Sequence, residues 1–115
     1  MGDPGRRKSV LIIAAPESFE ELISLSKNGP VVIFKHSNTC PVSAMAYQEM
    51  ARFDGEVALV EVQKARRLST EIENRTGVIH ESPQVLILRN GKVVWNASHW
   101  KEKAGAVAEA VRTNS

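Results

Sequence analysis

Cysteine is almost missing from this chain: 115 residues hold one, Cys40. An internal disulfide is therefore impossible, and a cysteine-rich zinc site is excluded. Charge of one sign is missing too. Fifteen Lys and Arg stand against thirteen Asp and Glu, a net charge of +2, too small to make nucleic acid the main partner. Aromatic residues are only 5% of the chain, and no Arg-aromatic platform for stacking bases is visible. No apolar run approaches the ~20 residues of a membrane span, so no membrane partner is expected. Val10 to Ala15 is too short for a signal-peptide core. A lone thiol without an export signal points to a reducing, cytoplasmic compartment. The three histidines include no pair at i, i+4 spacing, so no metal site is expected.

What is present is an ordinary globular composition, 43% hydrophobic and 24% charged. The length fits one domain able to bury a core without staples. Residues 1–9 are polar and basic and read as a flexible tail; residues 10–115 read as the domain. Val10 to Ala14 is a short apolar, β-branched run, expected as a buried strand. Ser18 and Glu21 have capping-box spacing, and Phe19, Leu22 and Ile23 form one helical face that Gly29 and Pro30 end. Val31 to Phe34 is a second apolar strand. A helix follows from Pro41, a residue suited to the first helical position, with Val42, Ala46, Met50 and Phe53 as its core stripe. Val57 to Val62 is the third strand. Leu68 and Ile72 mark a helix that Gly77 terminates. Gln84 to Leu88 and Lys92 to Trp95 are strands joined by Asn90-Gly91, the strongest short hairpin signal. A last helix is expected from about Trp100 to Val111, with Ala104, Val107, Ala108 and Val111 inward and Ser98 as a candidate cap. The order β-α-β-α-β-α-β-β-α implies an α/β fold with its sheet covered on both faces.

The chemistry concentrates at the turn after the second strand, Thr39-Cys40-Pro41-Val42-Ser43. A sulfur just before a helix faces unpaired backbone N–H groups, those of Val42 and Ser43, and the positive end of the helix dipole. Both favour the thiolate, so Cys40 is expected to be nucleophilic at neutral pH. The alternative, a small buried hydrophobe, fits poorly with the polar flank His36-Ser37-Asn38-Thr39. The Ser43 hydroxyl is a further candidate donor to the sulfur. His36, four residues before Cys40, is a candidate thiolate stabiliser or proton shuttle, or simply a polar strand-end residue. His80 is a candidate rim residue; His99, Trp95 and Trp100 read as structural. The second motif is Ser82-Pro83 before the fourth strand. A cis bond there would turn the Ser82 N–H and C=O outward to pair with a bound peptide or thiol.

Three blocks in this order carry a resemblance. They are Phe34 to Ser43 (FKHSNTCPVS), His80 to Gln84 (HESPQ) and Trp95 to Trp100 (WNASHW). Together they resemble the monothiol bacilliredoxin family over about Leu11 to Val111, within the wider thioredoxin fold, with Ser43 where thioredoxins carry a second cysteine. The resemblance implies a central mixed five-stranded sheet flanked by four helices. It implies Cys40 as the nucleophile and Pro83 as the cis-proline. It also implies a thiol–disulfide oxidoreductase that removes bacillithiol from S-bacillithiolated client proteins. Bacillithiol is then a co-substrate rather than a bound cofactor, and the chain a monomer or weak dimer.

Bacillithiol carries a malate with two carboxylates, and cations would help to hold it. Lys35 is nearest in sequence, but strand alternation points it away, and Arg89 lies at the far end of its strand. The backbones of Val42, Ser43 and Ser82 are better candidates. Other functions fit the same fold: a glutaredoxin-like monothiol exchanger for glutathione, an iron–sulfur cluster binder sharing one cysteine per subunit, or a redox-inert interaction module. Pro41 and Val42 stand where the cluster binders usually have Gly and Phe, which weighs against the second of these.

Overall fold

The structure, a computed structural model, describes residues 11–13, 18–37, 41–50, 56–98 and 104–115. The strands are β1 (Leu11–Ile13), β2 (Val31–His36), β3 (Glu56–Glu61), β4 (Gln84–Arg89) and β5 (Lys92–Ser98). The helices are α1 (Phe19–Ser26), α2 (Pro41–Met50), α3 (Arg66–Thr76) and α4 (Ala104–Thr113). The sheet order is β1-β3-β2-β4-β5. Four strands of six or seven residues form its body, and the three-residue β1 adds at one edge. β2 and β3 run parallel, as do β1 and β3, whereas β2/β4 and β4/β5 are antiparallel. A register shift interrupts the β4/β5 ladder between Ile87 and Leu88.

β2 and β4 are central and covered on both sides, which is why they read as continuous apolar runs. Their alternating side chains feed two separate cores. Val32, Phe34, Val85 and Ile87 pack with Met50 of α2 and with Val107 and Ala110 of α4. Ile33, Leu86 and Leu88 pack on the opposite face with Phe19 and Leu22 of α1 and Leu68 and Ile72 of α3. Each such large side chain contributes about 1.5–3 kcal/mol by leaving water. Because β2 and β3 are parallel, their carboxyl ends open at one edge of the sheet, and α2 and α3 both begin there.

Several local expectations change. Ser18 stands at the N-cap of α1, but its side chain makes no capping bond. The Phe19 N–H instead donates to Glu71 Oε1 of α3 at 3.4 Å, so a neighbouring helix supplies the acceptor. Arg75, from the next turn of α3, lies 5.3 Å over the Phe19 ring and reinforces the contact. β5 continues past Trp95 to Ser98, because Asn96, Ala97 and Ser98 still pair with Leu86, Val85 and Gln84. Ser98 is thus a strand residue, not a helix cap. In α4, Ala110 is buried beside Val107, and Ala108 faces outward. The i, i+3 pair 107/110 shares one face, from which position 108 is turned by about 100°. The tail, Val10, Ala14, Phe53 and Trp100 lie outside the described residues.

The Asn90-Gly91 hairpin has φ of 55° and 80°, the positive pair that a type I′ turn needs. It is tied to α1 through Ser26, which is fully buried. Ser26 Oγ donates to the Ile23 carbonyl at 2.7 Å and accepts from the Gly91 N–H at 2.8 Å. The Ser26 carbonyl accepts from the Asn90 N–H at 2.9 Å and from Arg89 Nη1 at 3.0 Å. Ser26→Ala should therefore leave the Gly91 N–H unpaired and cost about 1–3 kcal/mol. Urea denaturation should show a lower midpoint with an unchanged slope; an unchanged midpoint would contradict the tie.

Candidate functional site

The site is bracketed by the chain on either side of Cys40. β2 ends at His36, whose carbonyl accepts from the Val62 N–H at 2.9 Å. Gln63 Nε2 then donates to Ser37 Oγ at 2.7 Å. These bonds carry the β2/β3 pairing past the formal strand ends and fix the path of the chain as far as Ser37. Thr39 and Cys40 lie outside the described residues. The backbone of Pro41, Val42 and Ser43 forms the first turn of α2, and their side chains are likewise outside the described residues. The first-turn amides of a helix have no intrahelical acceptor, and no acidic residue occupies that turn.

His36 is nearly buried. Its ring centroid lies 5.5 Å from Phe34 and 5.1 Å from Tyr47 of α2, and Phe34 and Tyr47 are 6.2 Å apart. The histidine thus sits in an aromatic group on the α2 face of the sheet. Tyr47 was not legible as a site residue; a lone Tyr two turns into a helix carries no pattern of its own.

Across the sheet, the Ser82–Pro83 peptide is cis. Pro83 is buried and immediately precedes β4. The pairing Lys35↔Gln84, continued by one step, sets Pro83 beside His36. The structure therefore brings His36, Ser82, Pro83 and the start of α2 to one edge. Ser82 Oγ and Gln84 Oε1 are buried without a hydrogen-bond partner among the described residues.

Behind this edge lies a polar cluster that the sequence signalled only in part. Lys35 points to the α1/α3 face, as strand alternation requires, and is fully buried. Its Nζ lies 3.1 Å from His80 Nδ1, and Ser69 Oγ lies 3.2 Å from the same nitrogen. Burial pulls the Lys35 ammonium down to about 8, partly offset by the Glu73 carboxylate. His80 is also lowered, first by burial and then by the Lys35 charge, with Glu73 and Glu81 opposing. The His80 N–H donates to Glu73 Oε2 at 3.1 Å, and Gln84 Nε2 donates to the Ile79 carbonyl at 3.0 Å. The segment leading to Pro83 is thereby tied to α3, β2 and β4 together. His80, expected at the rim, serves as a support from the other face. Ser69 was detectable in principle, since a serine between Leu68 and Ile72 falls on the helix's buried side. Arg89 takes no part; it binds the carbonyls of Ser26 and Asn114 at the far end of β4.

Residues 12–107 match the family described as monothiol bacilliredoxin BrxC. The chain belongs to the monothiol bacilliredoxin family. A solved thioredoxin-fold protein proposed to be an oxidoreductase is 37% identical to this bacilliredoxin, with 89% of this chain and 93% of that one covered and a TM-score of 0.72. More distant structures share the fold alone. A mutant thioredoxin from Halobacterium salinarum is 13% identical, covering 94% and 92% of the two chains at a TM-score of 0.65. Mitochondrial thioredoxin 3 from Saccharomyces cerevisiae is 13% identical, covering 90% and 94% at 0.64. The bacilliredoxin thus has a thioredoxin-like α/β fold. None of its helices among the described residues is long and apolar enough to cross a membrane.

The buried lysine gives this bacilliredoxin a pH signature. Lys35 holds its proton up to pH 10.5 when unperturbed but only to about 8 in the fold. Between those values the unfolded chain binds the extra proton, so folding stability rises with pH through that window. Relative to Lys35→Met, the wild type should gain about 3 kcal/mol between pH 7 and 10.5. Urea titrations of both proteins across that range check this; a constant difference would mean that Lys35 does not change its proton affinity on folding.

Proposed function

We propose that this chain is a monothiol thiol–disulfide oxidoreductase that removes bacillithiol from S-bacillithiolated proteins in the cytoplasm. One fact carries the reading: a member of the monothiol bacilliredoxin family holds a single thiol, Cys40, with Ser43 three residues on. The Cys40 thiolate attacks the bacillithiol sulfur of a mixed disulfide. The client thiolate leaves, and Cys40 becomes bacillithiolated. With no second cysteine in the chain, free bacillithiol then attacks that disulfide, releasing bacillithiol disulfide and regenerating the Cys40 thiolate. The balance sheet is one mixed disulfide and one thiol converted to one thiol and one symmetric disulfide.

Two features support these roles. The first turn of α2 presents amides without intrahelical acceptors next to Cys40, and a thiolate is stabilised by such a helix start. In this reading the backbone of Pro41, Val42 and Ser43, with His36 nearby and Thr39 preceding Cys40 in sequence, forms one wall for the sulfur. Ser82 and Pro83 form the other, where an extended thiol ligand pairs with the backbone. Exchange rates follow thiolate fraction, nucleophilicity and leaving-group pKa, so a moderate lowering of the Cys40 thiol serves both half-reactions.

The test is an intact-mass time course with reduced protein and a bacillithiolated peptide, run beside its glutathionylated twin. Bacillithiol mass should move onto the protein quickly and glutathione mass slowly. Equal rates would make it a general monothiol exchanger, and no adduct from either would remove the exchange reading. Cys40→Ser should abolish transfer with folding intact. Ser43→Cys should create a C-x-x-C pair that oxidises with the loss of two hydrogens by mass. Failure to form that disulfide would contradict the placement of both residues at the start of α2.

A further inference from the structure

A cavity of about 330 Å³ lies beside the polar cluster, at the sheet edge where α3 begins. Its walls include Gln63, Arg66, Ser69, Thr70, Glu73 and His80. Two of these connect it to the thiol site. Gln63 holds Ser37, three residues before Cys40, and covalent geometry keeps Cys40 within about 11 Å of Ser37. His80 lies on the other side, two residues before Ser82. The cavity therefore borders the two segments that lead to the walls proposed for the sulfur, on the face opposite α2.

Its chemistry selects an anion with hydroxyls. The Arg66 guanidinium is exposed and makes no ion pair or hydrogen bond among the described residues. Thr70 follows one turn later on the same helical face. His80 Nδ1 is occupied by Lys35 and Ser69, which leaves Nε2 to carry the ring proton as a donor if Lys35 donates to Nδ1. No side chain at Ala65 caps the first turn of α3, so its dipole adds to the positive side. Glu73 opposes this. Oε2 accepts the His80 N–H, and the carboxylate leaves room for further donors. One acidic group inside the cavity disfavours a dianionic phosphate and suits a ligand that offers a carboxylate to Arg66 and a hydroxyl to Glu73. Bidentate pairing with carboxylate is what an unpaired guanidinium does best.

We propose that this cavity is the carboxylate subsite for the low-molecular-weight thiol that exchanges at Cys40, with Arg66 as the residue that pairs with that carboxylate. The proposal rests on the exchange function above and adds to it where the non-reacting end of the co-substrate lies. For bacillithiol, the end in question is the malate, and the sugar supplies the hydroxyls.

Binding separates this from the exchange reaction. The full-length Cys40→Ser protein, which has no thiol, is titrated with bacillithiol and with the same compound lacking malate, followed by calorimetry and by the Arg66 Nε and His80 ring ¹⁵N signals. Bacillithiol should move both signals and bind about tenfold more tightly than the malate-free compound. In Arg66→Gln/Cys40→Ser that ratio should fall to about one. Arg66 is on the surface, so the substitution leaves folding undisturbed. Equal affinity for the two compounds, or a difference that survives Arg66→Gln, overturns the proposal. A protein that takes no bacillithiol adduct in the mass experiment loses the exchange function, whereas the titration still decides where a carboxylate is held.

Discussion

A lysine with no solvent contact must be held by its surroundings, and Lys35 is held by His80. That 3.1 Å contact spans 45 residues of sequence and crosses from the central strand to the segment before β4. Burial of a cation is costly unless it is paired and hydrogen-bonded. The structure meets the cost with a neutral ring nitrogen, a serine hydroxyl nearby and the Glu73 field. The same bonds hold the approach to Pro83. The position of the cis Ser82–Pro83 turn thus depends on a charge buried on the other side of the sheet.

β2 makes this arrangement possible because its two faces do different work. Phe34 and His36 turn toward α2 and the aromatic residue Tyr47, while Ile33 and Lys35 turn toward α1 and α3. A single strand therefore supplies packing beneath the helix that follows Cys40 and anchors the loop that ends in Pro83. Shifting its register by one residue would exchange the two faces, and five paired positions with β3 together with five with β4 prevent that.

Much of the fold was legible because the strands are short apolar runs and the turns carry their own chemistry. Asn90-Gly91 specified a hairpin, and Gly77 takes the left-handed conformation expected at the end of α3. The errors arose where tertiary contacts override local pattern. Ser18 has capping-box spacing, yet Glu71 from another helix caps α1. Ser98 has the chemistry of a cap but remains in a strand because Gln84 pairs with it. At the site, Pro83 and the start of α2 were readable from spacing and family resemblance. The Lys35–His80–Ser69 cluster was not, since its members lie on three different elements and only the fold brings them together.

The shift in the β4/β5 ladder between Ile87 and Leu88 also shapes how this molecule meets its neighbours. Such an irregularity increases local coiling and bends the strand. β5 lies at the border of the sheet, where unpaired backbone groups would otherwise template strand addition by another copy. A bent border that opens with Lys92 and alternates exposed with half-covered side chains is a poor surface for a second strand to follow. Self-association into extended sheets is thereby opposed at the end of the sheet furthest from β1.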